Sequence, residues 1–374
     1  VDRAGSHAVT TAVGNADTCA GELDGDTVDG IGSAVRFVWA INALVQRNSS
    51  SQLFYVVERG ISIREINLAT PVMPLARTIA GGTFRYGLTQ GEASTALINH
   101  PTSLVAVGDS VFVAEGGWKE LATNVVRRLD LGSGMLSIAA GKPGVGTSDD
   151  GVGTDATFAL ARSLSFDGND LLYVADIRTI RTFSITSGQV TTLAGDRTQS
   201  GYVDLTGSSA RFGAAIGITF ADGAAYVQDF SYPGALRSVT PAGNTQTFAG
   251  SSTETGYVDA QGLAARFEFS VDQDRFSSGA SDGKGNLYVT DLVNACVRKI
   301  VLATGDVTTL AGNPTTKETV DGVGLGAGFE EPSSIAFDGN RTLYVGDKWT
   351  LRAIDVPSAK VTTVFGRPGR QGVS

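Results

Sequence analysis

Six acids and six arginines recur along this 374-residue chain in a fixed order. An acid closes one short apolar run, and an Arg follows in the next. The acids are Glu58, Glu115, Asp176, Asp229, Asp291 and Asp347. The arginines are Arg64, Arg127 or Arg128, Arg181, Arg237, Arg298 and Arg352. A ring of carboxylates suits a cation site or acid–base chemistry. Recurrence in every unit favours a structural use, because function seldom needs six copies. An acid and an Arg facing each other across a hairpin satisfy each other's polar groups near the edge of a sheet.

Other candidates for chemistry are sparse. Asp-Gly loops recur, as in Asp321-Gly322-Val323-Gly324. A calcium loop usually presents about three or more oxygen side chains in close order. Ser148, Asp149, Asp150 and Asp155 come nearest to that pattern, but an Asp in a turn more often caps the turn itself. No cofactor is expected beyond that weak calcium candidate. His7 and His100 are too few for a His-rich metal site, and Cys19 and Cys296 lie too far apart for CxxC-type chemistry, though an oxidising compartment would allow them to pair. The two cysteines read as buried free thiols. Neither a GxSxG elbow nor a phosphate-binding GxxxxGK[ST] loop is present.

Composition narrows the class. Apolar residues make up 42% and charged residues 18% of the chain, enough to form a core. No stretch reaches the roughly 18 unbroken apolar residues of a membrane helix; the run from Phe37 to Val45 is broken by Asn42. A net charge of −9 without any basic block argues against a nucleic-acid partner. The 48 Gly against 10 Pro, without collagen periodicity, call for many tight turns between short strands. The start at Val1 without a signal-peptide pattern reads as a processed or trimmed piece, and one domain of a longer chain or assembly is the expectation.

The elements that must position these residues repeat. Runs ending in Ala-Gly or Phe-Gly close at Gly21, Gly81, Gly141, Gly195, Gly250, Gly312 and Gly366, between 54 and 62 residues apart. Each unit opens with a loop of Asp, Gly, Ala and Phe, such as Asp150-Gly151…Ala156…Phe158; the second unit keeps only Gln90-Gly91…Ala96. Four β-rich runs follow, joined by Gly, Asp and Asn turns. Leu172-Tyr173-Val174 represents the second run, Val297-Arg298-Lys299-Ile300 the third and Val307-Thr308-Thr309-Leu310 the fourth. Four antiparallel strands repeated six times describe an all-β, six-bladed β-propeller. The expected division is a lead-in over 1–20, one propeller over 21–366 and a tail over 367–374. The blades are expected at 21–81, 82–141, 142–195, 196–250, 251–312 and 313–366, with Val361 to Phe365 as the last outer strand.

The series Asp-Gly-x-Gly-x-x-Ala-x-Phe, Asp-Gly-x-x-Leu-Tyr-Val-x-Asp, Ile-Arg-x-Ile and Val-Thr-Thr-Leu-Ala-Gly resembles the NHL repeats of plant, algal and bacterial proteins. The resemblance covers residues 19 to 366. It implies the propeller fold but names no activity. Similar-looking propellers include lyases and hydrolases with a metal in the central channel, held by several His, or by Asn and carboxylates. Here the inner runs offer Asn42, Ser163, Ser165, Thr219, Ser278 and Ser334, with few acids.

The leading expectation is therefore a non-catalytic, extracellular or cell-surface module that binds a protein or glycan. A propeller lyase or hydrolase and an intracellular NHL scaffold are the alternatives. Two sequons, at Asn48 and Asn340, fall in first-to-second-strand turns of units 1 and 6, which become neighbours when the ring closes. Glycans there would obstruct that face and leave the partner the opposite one. That opposite face carries the lead-in loops with Phe84 and Tyr86. It also carries second-to-third-strand turns with Trp118, Lys119, Phe230, Tyr232 and Trp349. Aromatic residues on loops held by a rigid scaffold are typical anchors. The competing expectation is that these rings fold back over neighbouring blades.

Overall fold

A computed structural model describes residues 29–31, 41–48, 51–58, 62–69, 75–81, 87–116, 123–230, 234–269, 271–272 and 275–366. They form six antiparallel blade sheets, each containing four consecutive strands in the order inner, second, third, outer, and one two-stranded sheet of Val271–Asp272 with Arg275–Phe276. Blade 1 comprises Ile41–Gln46, Leu53–Glu58, Ser62–Asn67 and Leu75–Gly81. Blade 2 comprises Pro101–Val107, Ser110–Glu115, Val125–Asp130 and Met135–Ala140. Blade 3 comprises Ala161–Phe166, Leu171–Asp176, Thr179–Ser184 and Gln189–Gly195. Blade 4 comprises Ala215–Ala221, Ala224–Phe230, Gly234–Val239 and Thr245–Gly250. Blade 5 comprises Gly279–Ser281, Asn286–Asp291, Cys296–Val301 and Asp306–Gly312, and blade 6 Pro332–Phe337, Thr342–Asp347, Thr350–Asp355 and Lys360–Phe365.

A fifth, two-residue strand joins the outer edge of five blades. It comes from that blade's own lead-in loop, as where Gly151 and Val152 pair with Val190 and Gln189. Blade 4 has a single bridge there, Thr206 to Asn244. Two residues are too few to carry a period-two signal, so this strand is absent from the sequence pattern. It covers part of an otherwise open sheet edge. The expected lead-in over 1–20, Cys19 and the tail over 367–374 lie outside the described residues.

The apolar second strands follow from burial on both faces. Phe54 and Val56 pack against blade 6, while Tyr55 and Val57 pack against blade 2. Among the described residues, one apolar cluster fills each of the six interfaces between neighbouring blades. The Ala and Phe of the lead-in loops belong to these clusters. Ala156 and Phe158 lie between blades 2 and 3, and Ala327 and Phe329 between blades 5 and 6. The loops described in full thus start at the outer edge of their blade and cross the interface to reach the inner strand.

The repeated outer-strand glycine has a backbone reason. Its φ is positive in all six blades, from 80° at Gly81 to 102° at Gly312. A Cβ at Gly312 would stand 2.6 Å from Ala295 O and 2.7 Å from Cys296 Cα. Only glycine meets both conditions without strain.

Blade 6 is completed by its own Lys360–Phe365, and the ring closes by side-to-side packing against blade 1. Ile41 N–H donates to Lys348 O at 3.2 Å. The hydroxyls of Ser333 and Ser334 both donate to Ile41 O at 3.0 Å. Gly346 permits the approach: a Cβ there would lie 2.9 Å from Ile41 Cβ and closer still to Ser334 Oγ.

Candidate functional site

The repeated arginines occupy one register. Each of Arg64, Arg127, Arg181, Arg237, Arg298 and Arg352 opposes a Val of the second strand. Arg127, not Arg128, therefore belongs to the series; Arg128 donates to Ser110 Oγ and pairs with Asp130. All six side chains of the series are fully buried. In blades 2 to 6 the Arg sits beneath the lead-in loop rather than at a sheet edge, donating to that loop's carbonyls.

Arg237 shows the arrangement. Its guanidinium donates to Asp229 at 2.9 Å and to Asp204 at 2.7 Å, and to the carbonyls of Arg211 at 2.7 Å and Val203 at 2.9 Å. The Tyr202 and Phe212 rings lie against it, with centroids at 4.4 and 4.7 Å. Asp229 also accepts the N–H groups of Gly213 and Ala214, and Asp204 the N–H and hydroxyl of Thr247. Through Arg237 and its acid partners the third strand, the end of the second strand, the lead-in loop and the outer strand are tied together. Arg181 repeats the contacts with Asp176, Asp150, Thr157 O and Asp149 O. Arg298 does so with Asp291, Asp259, Arg266 O and Val258 O, and Arg352 with Asp347, Asp321, Gly328 O and Val320 O. Arg64 pairs with Asp29 at 3.2 Å; of the acids, Glu58 ends the second strand of blade 1.

Blade 2 is the variant. Gln90 replaces the loop Asp and accepts the Ile138 N–H in its stead, while Arg127 pairs with Glu115 at 3.2 Å. Burial, the largest influence, pushes the Glu115 carboxyl up to about 7 against the opposing pull of Arg127. The same desolvation raises Asp176, Asp291 and Asp347, in each case opposed by the neighbouring Arg.

The loop acids thus serve chiefly as acceptors for Arg and for the outer strand, not as caps of their own turns. In the candidate calcium loop, Ser148 Oγ–H donates to Asp176, Asp149 accepts from Thr147 and pairs with Arg197, and Asp150 accepts from Arg181 and Thr192. No cluster of three or more His, Cys, Asp or Glu suited to a metal occurs among the described residues. Cys296 is a buried free thiol, raised well above its ordinary value by burial.

Of the expected anchors, Phe84, Tyr86, Trp118, Lys119 and Tyr232 lie outside the described residues. Phe230 is half-buried against the core between blades 4 and 5. Trp349 is half-buried in the blade 6 turn, with Lys348 Nζ 4.3 Å from its ring centroid. Asn48 and Asn340 are exposed. Their two turns touch, because Gln46 Nε2 donates to Ser51 O at 2.7 Å and to Asp338 O at 3.1 Å.

The inner strands of all six blades line a central cavity of about 250 Å³. Several expected channel residues hold neighbouring blades together instead of facing a ligand. Ile218 N–H donates to Ser163 Oγ at 3.1 Å and Phe220 N–H to Ser165 Oγ at 2.8 Å, while Ser334 joins blade 6 to blade 1. Thr219 packs where a side chain on Gly279 of the next blade would collide with it. Sequence reasoning missed Thr102, Arg162, Ser277 and Ser333, which sit at the entry of the inner strands of blades 2, 3, 5 and 6. A polar residue directly after Pro101, Ala161 and Pro332 was the available signal.

No protein-family model matches the chain, and no curated protein is detectably similar to it. Solved structures share its fold. A protein of unknown function from Bacteroides thetaiotaomicron is 18% identical over 90% of this chain and 71% of its own, with a TM-score of 0.61. An auxiliary nutrient binding protein from the same organism is 15% identical over 91% and 72%, with a TM-score of 0.62. A chain of a nidogen/laminin complex is 14% identical over 83% and 94%, with a TM-score of 0.51.

Proposed function

We propose that this chain is a non-catalytic binding module of NHL-type repeats that engages a protein or glycan outside the cell. The buried Arg hub carries the reading. It fastens the lead-in loop and the end of the second strand of blade after blade to one frame. Loops of varied sequence on a rigid scaffold are the usual means of recognition. The exposed Asn48 and Asn340, with their sequons on the opposite face, support a glycoprotein whose partner uses the lead-in face. The names of the nutrient-binding and nidogen/laminin structures agree with a binding role at the level of fold only.

The enzyme reading has less support. A channel metal of the lyase or hydrolase kind needs several His, Asp or Glu ligands, and the described lining of the cavity contributes none. An intracellular scaffold is separated from the favoured reading by peptide mapping of native material, which is expected to find glycans on Asn48 and Asn340. Replacing Trp118, Tyr232 and Trp349 together with Ala tests the face itself. Lost capture of a partner from the native matrix at an unchanged melting temperature supports it. Retained capture with a lowered melting temperature makes these residues packing groups and overturns the assignment.

A further inference from the structure

Most inner strands carry a bulge one residue after they begin. The pairing with the second strand skips Asn42, Thr102, Arg162, Ile216 and Ser333 in blades 1, 2, 3, 4 and 6. Ser277 holds the matching place in blade 5, two residues before Gly279, which opposes Val289 as Ile335 opposes Val345. Bulges re-aim side chains, and these positions form one level of the channel. All but Ser333 line the cavity.

The members of this level differ in what they bond. Thr102 Oγ1 donates to Ala161 O at 3.2 Å and Ser333 Oγ to Ile41 O at 3.0 Å, so both join neighbouring blades. Asn42 Oδ1 and Ser277 Oγ are buried without a hydrogen-bond partner in the fold, in residues only 5% and 1% exposed. Such atoms are rare in native proteins unless a water or ligand meets them. Arg162, which has interactions of its own within the fold, brings a cation to the same level. No Asp or Glu stands among the described lining residues. Burial lowers the Arg162 guanidinium to about 9, so a nearby negative charge would favour its charged form.

We propose that this level of the channel binds a small, free hydroxycarboxylate. Its carboxylate faces Arg162 and accepts the Ser277 hydroxyl, and one of its own hydroxyls donates to Asn42 Oδ1. The cavity of about 250 Å³ exceeds the roughly 150 Å³ that holds a benzene, which suits a molecule of monosaccharide size. This site is independent of the macromolecular face proposed above, and no variant that tests one touches the other.

Galacturonate and galactose form a matched pair of probes differing in the carboxylate. Calorimetric titration of the full chain is expected to show galacturonate binding at least about tenfold more tightly than galactose. Ser277→Ala and Asn42→Leu should each weaken galacturonate several-fold, and Arg162→Met at least about tenfold. Should Arg162→Met fail to fold, Ser277→Ala carries the test, since it removes a hydroxyl that bonds nothing in the fold. Absence of galacturonate binding, equal binding of the two sugars, or binding unchanged by Ser277→Ala would each overturn the proposal.

Discussion

Replacing Arg237 with Met removes one guanidinium and keeps most of the apolar stem. Four acceptors then lose the guanidinium as a donor: Asp229, Asp204 and the carbonyls of Arg211 and Val203. Asp229 is fully buried and becomes an uncompensated carboxylate, though Gly213 and Ala214 still donate to it. Breaking a buried pair from one side costs about 3–5 kcal/mol. Asp204 is 38% exposed, so water replaces much of what it loses. Asp204→Asn should therefore cost only about 1 kcal/mol. An unfolding entropy of about 2.1 cal/mol/K per residue gives about 0.8 kcal/mol/K for the 374-residue chain. Arg237→Met should then lower the melting temperature by about 4–6 °C, and Asp204→Asn by about 1 °C. Adding Asp229→Asn to Arg237→Met should restore part of the loss, because the stranded charge is gone. Calorimetry measures the shifts. Amide exchange reads the local effect at Val203 and Arg211, whose N–H groups pair across the lead-in loop. A loss below about 1 °C for Arg237→Met, or unchanged exchange at both amides, refutes the claim that the hub holds the loop.

Two further predictions concern blade 2 and the closure of the ring. The folded Glu115 value, about 7, lies above the ordinary 4.5, so stability from its retained proton is full below about 4.5 and lost as pH rises to about 7. Glu115→Gln cannot lose that proton, and its stability relative to the parent should improve by up to about 3 kcal/mol across that range; parallel melting curves against pH would disprove the assignment. Gly346→Val places a side chain against Ile41 and Ser334 and should cost about 1–3 kcal/mol or more. Dye binding at the separated interface of blades 6 and 1 should rise with it, and an unaltered melting temperature would show that the interface tolerates the bulk.

Much of this architecture was legible because it repeats. The run Leu-Tyr-Val reads as a strand buried on both faces, and Tyr55 and Val56 show why, each packing on a different neighbouring blade. The Arg series was visible as well, and counting from the Val it opposes would have chosen Arg127 over Arg128. The loop acids were harder. Asp204 next to a turn looks like a cap, yet its acceptors are engaged from 33 and 43 residues away. No local pattern encodes a contact of that span. Beyond Asn42 the channel level escaped for a related reason: a bulge shifts alternation by one residue and takes Arg162 out of the period of its strand, while Ser277 lies before the paired strand of blade 5 begins.

The unexchanged last blade has a consequence for how the chain folds. Neighbouring blades elsewhere are joined by bonds between residues 43 to 62 positions apart, such as Thr290 with Ser333, Ser163 with Ile218 and Gln228 with Thr290. Blades 6 and 1 meet through Ser334 and Ile41, 293 positions apart. On a logarithmic loop-closure law, that last junction costs about 1.5 kcal/mol more entropy than any of the local ones. The molecule is thus a split washer: an arc can grow blade by blade from short-range contacts, and the two free sides meet last. The two serine hydroxyls on one carbonyl and the side-chain-free Gly346 lie where that late meeting must be recognised without a shared strand to guide it.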